Sequence, residues 1–335
     1  MRRSASLTAL CLLTCVLAWP QAMVKPADTA SVSTSVLWKD PGNIKSLDLF
    51  DGPGGKKDQP LLPVEFVKED RKGTSPKFDV LDERGEKWRA KLGPEARPET
   101  VASRLLWAMG YGANENYFFS RLPVKNLPAK LHRGQSFVSA NGQVQAIRLQ
   151  RHIGGEKKEG IWSWRHNPFL GTREFNGLRV MMALINNWDV SDDNNAIFDD
   201  PGRPGRKLYE VTDVGASFGQ NAKNYTDAGS KGNLKAYVHS KFITKITPEY
   251  VNFNCPGRPP MIDFFFNPSF FIREMHQRWI AKKIPRADVK WIGSLLAQLS
   301  PGQIRDAFRA AGYTSQQVEA FAGALEGRIK ELKNL

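Results

Sequence analysis

The stretch from residue 184 to residue 219 constrains the fold most, because it encloses a dense polar loop between apolar segments. The loop, residues 186–195, is rich in Asp and Asn and follows an apolar, helix-like segment. Two short apolar segments then flank a Pro/Gly turn at residues 201–205, which is typical of a β-hairpin. We expect this hairpin to bring three polar side chains close together: Asp189, Asn194 and Asp213.

These three side chains suggest a metal and phosphate site. Carboxylate and carboxamide oxygens are hard ligands of the kind that Mg²⁺ prefers when it also binds phosphate. An Asp, an Asn five residues later, a hairpin and then Asp-x-Gly is the order of a catalytic loop and a metal loop in phosphoryl-transfer enzymes. The alternative is a solvated turn, since Asp and Asn favour turns on their own account. Within the loop, Asp192 and Asp193 are rival carboxylates, and Asn195 is a rival for Asn194.

The N-terminus predicts export. A basic start is followed by a short apolar run at residues 7–19 and a small residue, Ala22, so we interpret residues 1–22 as a cleaved signal peptide. The run is short for a membrane span, and no later segment is long and apolar enough to be one. A lipoprotein signal and an uncleaved anchor are the alternatives. Only Cys255 lies outside this segment, so we expect a periplasmic or secreted protein without internal disulfides.

The net charge of the chain and its sequence motifs disfavour some classes of partner and enzyme. The net charge of +14 favours anionic partners such as phosphates. The basic residues are scattered, without a basic helix, zinc-finger spacing or an aromatic RNA-binding motif, so we expect no nucleic-acid partner. A hydrolase is disfavoured, since the chain has neither a Gly-x-Ser-x-Gly elbow nor a His-x-x-x-His metal motif.

A second group of candidate residues lies upstream. Three strands are predicted at residues 62–69, 77–82 and 87–92, and the first connection contains Gly73, Thr74 and Ser75. Backbone N–H groups of such a loop can face phosphates.

Lys91 lies in the third of these strands. The helix that follows has Pro98 at its start and Glu99 in its first turn. A strand lysine and a helix glutamate can form an ion pair that holds the ammonium towards a phosphate. The alternative is a surface lysine and a glutamate favoured only by the helix dipole.

The remaining segments complete the predicted organisation. Residues 117–119 and 146–149 are predicted strands of the same small sheet, Gly154-Gly155 is a candidate hinge, and residues 173–188 form a helix that leads into the acidic loop. We expect a long exposed loop region at residues 220–260 and an aromatic core segment, helical in its second half, at residues 264–279. Three C-terminal helices follow: residues 287–299, a helix capped by Ser300 and Gln303, and a last helix capped at Thr314.

Taken together, residues 60–300 resemble the protein-kinase-like superfamily. The resemblance is closer to its atypical branch, with HipA-like, phosphatidylinositol 3-/4-kinase-like and secretory-pathway kinases. It implies an α+β, two-lobed fold with a small antiparallel-sheet N-lobe and a mainly helical C-lobe. The predicted organisation is an irregular lead-in (23–60), an N-lobe (61–153) and a C-lobe with the catalytic hairpin (154–335).

The resemblance also implies roles for the candidate residues. Asp189 matches the catalytic aspartate, Asn194 and Asp213 the metal ligands, Lys91 and Glu99 the phosphate-binding ion pair, and Gly73, Thr74 and Ser75 the glycine-rich loop. Departures from the pattern are Asn187-Trp188 in place of His-Arg, Val214 in place of the usual aromatic residue, and no evident activation-segment motif.

The implied cofactors are ATP and Mg²⁺ or Mn²⁺. The implied function is an exported ATP-dependent phosphotransferase whose acceptor is a protein, a lipid head group, a sugar or a small molecule. The alternative is a non-catalytic binding or scaffold protein on the same fold.

Overall fold

The helices and strands are given for the residues that this computed structural model describes: 34–73, 75–152, 158–219, 231–254 and 261–335. The strands are β1 (Ser35–Val36), β2 (Val64–Asp70), β3 (Lys77–Leu81), β4 (Lys87–Leu92), β5 (Asn116–Lys125), β6 (Gln143–Arg151), β7 (Lys158–Gly160), β8 (Asn195–Asp199), β9 (Lys207–Val211), β10 (Ile243–Ile246), β11 (Tyr250–Phe253) and β12 (Ile284–Pro285). The α-helices are α1 (Ala96–Ala108), α2 (Arg173–Leu184), α3 (Leu234–His239), α4 (Ile262–Phe266), α5 (Pro268–Gln277), α6 (Arg286–Leu296), α7 (Pro301–Ala310) and α8 (Ser315–Lys333).

The small lobe is built on a barrel with the strand order β2-β3-β4-β6-β5. Four of its strand pairs are antiparallel, as predicted, and a short parallel pair of β2 with β5 closes the sheet. In β4, Trp88, Ala90 and Leu92 alternate along the strand and are at most 1% exposed. This period-two pattern fills the barrel with apolar side chains and stabilises the lobe.

A tight turn joins β4 to α1. Gly93 adopts a φ of 91°, and its N–H donates to the Ala146 carbonyl of β6 at 3.0 Å. A Cβ at this position would lie 2.8 Å from the Phe137 ring, so the turn needs glycine. Because α1 begins three residues later, its first turn lies beside Lys91 at the end of β4.

The helix before the acidic loop is shorter than predicted. Thr172 caps the start of α2 by accepting the Phe175 N–H, but the helix ends at Leu184 and not at residue 188. Asn186 has a φ of 54°, and a left-handed asparagine just past the last turn is a common helix end. The shorter helix leaves residues 186–191 in a loop, which is followed by one 3-10 turn at Asp192–Asn194.

The predicted hairpin is present. Strands β8 and β9 pair antiparallel, from Asn195 opposite Val211 to Asp199 opposite Lys207. Strand β7 adds to β8, and β1 adds to β9 in parallel. The hairpin is therefore the centre of a four-stranded sheet in the larger lobe.

The described part of the lead-in, residues 34–60, is mostly irregular, as predicted, yet it belongs to the folded core. Leu37, Ile44 and Leu49 are at most 4% exposed and pack into the same apolar cluster as the helices of the larger lobe. The Gln303 side chain of α7 donates to the Ile44 and Leu47 carbonyls, both at 2.8 Å. Apolar residues without regular spacing can pack in this way only when another element provides the surface.

Two predictions for the larger lobe are wrong. The described part of residues 220–260 contains α3, β10 and β11, with buried Tyr237 and Phe253, and is not a simple exposed loop. Residues 264–279 are largely helical, but Phe265 and Phe266 are 76% and 79% exposed, so this segment is not core. Aromatic content alone indicated burial there, although no element among the described residues covers these rings.

The C-terminal helices match the prediction. Both expected capping boxes are present, Ser300 with Gln303 at α7 and Thr314 with Gln317 at α8. No helix among the described residues has the length and apolar content to cross a membrane. The signal segment 1–22, Thr74, the candidate hinge at 154–155 and Cys255 lie outside the described residues.

Candidate active site

Lys91 is the centre of the candidate site. Its ammonium lies 2.6 Å from Glu95, 3.1 Å from Glu99 and 3.1 Å from Asp213. The predicted ion pair between Lys91 and Glu99 is thus confirmed. Burial would lower the pKa of Lys91, but Glu99, Asp213 and Glu95 outweigh it and raise the pKa above its usual value, so this lysine is a permanent cation.

Glu99 is held by a second cation that the sequence did not reveal. Its other carboxylate oxygen lies 3.1 Å from the Arg148 guanidinium of β6, and both side chains are at most 3% exposed. Arg148 also donates to the Asn116 side chain at 2.6 Å. Burial raises the pKa of Glu99, against the opposing effect of Arg148 and Lys91. A buried carboxylate between two hydrogen-bonded cations fixes the position of Lys91.

Glu95 is a further residue that sequence reasoning missed. Besides Lys91, it contacts Lys231 at 2.5 Å and accepts a hydrogen bond from the Ser75 hydroxyl at 2.8 Å. Burial raises the pKa of Glu95, but Lys91 and Lys231 outweigh it and lower the pKa to about 2. Glu95 also packs against Gly215, where an added Cβ would lie 2.9 Å from its own. It therefore joins the loop of Ser75 to the segment after Asp213.

The acidic loop is bonded directly to the segment that carries Asp213. The backbone N–H groups of Thr212 and Asp213 donate to the Asn194 carbonyl at 2.8 and 3.2 Å. The Asn194 side-chain amide donates to the Asp189 carbonyl at 2.9 Å. The Asp213 carboxylate accepts the Gly215 N–H at 3.1 Å. The hairpin thus brings the three predicted residues into one cluster, while their chemical roles stay predictions.

Two of the rival loop residues are directed elsewhere. Asn195 is fully buried and its side-chain amide donates to the Trp162 carbonyl at 2.9 Å. Asp192 accepts the Trp164 N–H at 3.0 Å. Asn194 uses its amide nitrogen within the loop, so its side-chain oxygen is the atom that suits a cation.

A divalent cation fits the exposed edge of this cluster better than its interior. Oxygens of Glu95, Glu99 and Asp213 lie within 4.8 Å of one another, but all three carboxylates already contact the Lys91 ammonium. The Asp213 side chain is 44% exposed, and it shares the edge with Asn194. A carboxylate and a carboxamide leave room for the water and phosphate oxygens that Mg²⁺ requires.

The predicted glycine-rich loop is placed at the same site in part. Gly73 has a φ of 68°, and its carbonyl accepts a hydrogen bond from Arg133. Ser75 reaches Glu95, next to Lys91. The loop therefore borders the side of the site where a phosphate would meet Lys91.

One arrangement identifies the fold. A strand lysine of a small β-lobe pairs with a helix glutamate and meets the Asp-x-Gly aspartate of the larger lobe. Protein kinases combine these parts in this order. The fold is protein-kinase-like. Within it, the Asp189 to Asn194 loop lies directly before the hairpin of β8 and β9.

Three solved structures of kinases resemble this protein-kinase-like chain. The Helicobacter pylori proinflammatory kinase CtkA is 12% identical over 81% of this chain and 99% of its own, with a TM-score of 0.36. The Rio2 kinase of Chaetomium thermophilum, in an ADP/Mg²⁺-phosphoaspartate complex, is 11% identical over 81% and 72%, with a TM-score of 0.30. The Golgi casein kinase is 11% identical over 87% and 78%, with a TM-score of 0.32. No protein-family model matches the sequence, and no curated protein matches it significantly.

Proposed function

We propose that the protein is an exported phosphotransferase that uses ATP with Mg²⁺ or Mn²⁺. The observation that carries the proposal is that Lys91, paired with Glu99 inside the small lobe, contacts Asp213 of the larger lobe. A buried, fixed cation next to an exposed carboxylate is suited to hold a phosphate and its counter-ion together. Catalysis at such a site is mainly positioning and charge neutralisation.

Each residue has a distinct task in this proposal. Lys91, held by Glu99, binds the phosphates, and Asp213 with Asn194 holds the metal ion. Bound Mg-ATP supplies the phosphoryl group and the cation that offsets its charge. Asp189 orients the acceptor hydroxyl, because it leads the loop whose Asn194 reaches the metal.

A non-catalytic role on the same fold is supported by one observation. The shortest ion pair of Lys91 is with Glu95, at 2.6 Å, and Glu95 is also bonded to Ser75 and Lys231. The three N–H donors of Lys91 already meet Glu95, Glu99 and Asp213, so a nucleotide phosphate must displace one of these carboxylates before it can bind there. A protein that never makes this exchange would keep the fold without the activity.

Two variants test the proposal with purified protein lacking the predicted signal (residues 23–335). ATP with Mg²⁺ should raise the melting temperature of the parent, whereas ATP with a chelator should not. Asp213→Asn should lose this metal-dependent shift. Asp189→Asn should keep it but lose phosphoryl transfer, as expected for a group that acts mainly in the transition state.

Calorimetry of both variants with and without Mg²⁺ gives the decisive comparison. If Asp189→Asn loses binding while Asp213→Asn keeps it, the two roles are reversed. A parent protein that binds no ATP in either condition would support the non-catalytic alternative.

A further inference from the structure

All three N–H donors of the Lys91 ammonium are occupied in this structure. They meet Glu95 at 2.6 Å, Glu99 at 3.1 Å and Asp213 at 3.1 Å. The Lys91 side chain is only 7% exposed, so a phosphate cannot simply add as a fourth partner. One carboxylate therefore has to leave when a phosphate binds, and the other contacts of each carboxylate decide which one it is.

Two of the three carboxylates are held at the site. Glu99 is 1% exposed and its second oxygen lies 3.1 Å from the Arg148 guanidinium, so moving it would break a further buried ion pair. Asp213 accepts the Gly215 N–H at 3.1 Å, and in the proposed function it holds the metal ion that accompanies the phosphate. The carboxylate that leaves is therefore Glu95.

Glu95 already contacts a second lysine. Its Oε2 atom lies 2.6 Å from Lys91 and accepts a hydrogen bond from the Ser75 hydroxyl at 2.8 Å, whereas its Oε1 atom lies 2.5 Å from Nζ of Lys231. The side chains of Glu95 and Lys231 are each 11% exposed. A carboxylate with so little exposure needs a cation, and Lys231 provides one when Lys91 turns to a phosphate.

The backbone next to Lys231 is fixed by contacts of its own. The N–H of Gly232 donates to the Ser217 carbonyl at 2.9 Å. A Cβ on Gly232 would lie 2.9 Å from the Tyr313 hydroxyl and 3.5 Å from Pro98, so this segment packs between α1 and the C-terminal helices. These contacts place Lys231 beside the first turn of α1 and do not involve the lysine of the site.

We propose that Lys231 regulates the nucleotide site by receiving Glu95: when a phosphate binds Lys91, Glu95 leaves Lys91 and stays paired with Lys231. The proposal rests on the proposed function, because the phosphate is that of ATP. The exchange keeps Glu95 paired with a cation throughout. Because linkage is reciprocal, a nucleotide that strengthens the Glu95–Lys231 pair also holds residues 231–233 more firmly against α1.

A cycle of substitutions tests this exchange, with Mg-ATP affinity measured by calorimetry. Lys231→Met should weaken binding by about tenfold, because Glu95 would have no cation after leaving Lys91. Lys231→Arg keeps the charge and should bind within about threefold of the parent. The matched control is Lys235→Met in α3, an exposed lysine four residues away, which should bind like the parent.

The second substitution of the cycle shows whether Lys231 acts through Glu95. In Glu95→Gln no carboxylate has to be received, so adding Lys231→Met should change the affinity by less than about twofold. An equal loss in both backgrounds would show that Lys231 contacts the phosphate directly. No loss in either background would show that Glu95 does not depend on Lys231. Each of these two results overturns the proposal.

Hydrogen exchange gives a reading that needs no Lys231 variant. Mg-ATP should slow the exchange of the Gly232 amide in the parent by about threefold or more, because local opening of residues 231–233 becomes rarer. The same nucleotide should leave this exchange unchanged in Glu95→Gln. Unchanged exchange in a parent protein that binds Mg-ATP overturns the proposal.

The outcomes separate this proposal from the proposed function. Mg-ATP binding that depends on Lys231 only when Glu95 is present, without any phosphoryl transfer, supports the exchange and overturns the phosphotransferase. Phosphoryl transfer without this dependence supports the phosphotransferase and overturns the exchange. A protein that binds no Mg-ATP overturns both.

Discussion

At the scale of single residues, the site is a balance of charges around one lysine. Three carboxylates surround Lys91, and two further cations, Arg148 and Lys231, hold two of those carboxylates. Glu99 is fixed by burial, whereas Glu95 accepts a hydrogen bond from Ser75 of the predicted glycine-rich loop. The two glutamates therefore act differently on Lys91. Glu99 positions its ammonium, whereas Glu95 would compete with a nucleotide phosphate for it.

This competition leads to a prediction for nucleotide affinity. Glu95→Gln removes the closest charge on Lys91, so ATP with Mg²⁺ should bind more tightly, by about fivefold for an ion pair worth about 1 kcal/mol. Isothermal calorimetry with Mg-ATP measures the change. The control is Glu331→Gln, an exposed residue of α8, which should bind like the parent. Unchanged or weaker binding by Glu95→Gln would show that Glu95 does not compete with the phosphate.

At the scale of elements, the turn between β3 and β4 depends on one carboxylate. Asp82 accepts the backbone N–H groups of Leu61, Arg84 and Glu86 at 3.2, 2.9 and 2.9 Å. Burial raises the pKa of Asp82, but these hydrogen bonds outweigh it and lower the pKa below its usual value. The charged form therefore ties the segment just before β2 to the turn between β3 and β4.

The lowered pKa predicts an acid dependence of stability. Ionised Asp82 stabilises the folded state above its usual pKa of about 3.9, and this contribution disappears as the pH falls through the lowered folded value. Asp82→Asn should cost about 1.5–3 kcal/mol at pH 7, the scale of hydrogen bonds to a charged group. Urea unfolding between pH 7 and pH 2.5 should show the parent and the variant converging at low pH. If the difference in the free energy of unfolding between parent and variant stayed constant with pH, the charge of Asp82 would not be what stabilises the turn.

Local elements were predictable from the sequence, and long-range contacts were not. The hairpin and both capping boxes depend on neighbouring residues, and they are present as predicted. The Lys91–Glu99 pair followed from a strand and the next helix. Arg148 and Lys231 lie 49 and 132 residues beyond Glu99 in the chain. Their ion pairs with Glu99 and Glu95 depend on how the barrel closes and how the two lobes meet, which the sequence does not show.

The exposed aromatic helices show a different limit of the sequence. Phe264, Phe265 and Phe266 were expected in the core because aromatic side chains are usually buried. In the structure they are 46%, 76% and 79% exposed. Burial depends on a covering element, and composition does not show whether the chain provides one. The parallel contact of β1 with β9 was missed for a related reason, since two residues are too few for a strand pattern.

At the scale of the whole molecule, export is a prediction that the sequence alone supports. The signal should be cut near Ala22, because a basic start, a short apolar run and a small residue precede this point. Intact-mass measurement of protein from the exported fraction gives the new N-terminus. An exported protein that still begins with Met1 would show that the segment is an anchor.

The hydrogen bonds between the lead-in and α7 determine when the protein can finish folding. Gln303 binds the carbonyls of Ile44 and Leu47, which lie 259 and 256 residues earlier in the chain. The lead-in therefore lacks part of its packing surface until the last helices have been synthesised. Contacts of such long sequence separation form slowly. If the predicted signal directs export, the chain would still be incompletely folded while it grows, which is the state that an unfolded-chain export pathway accepts.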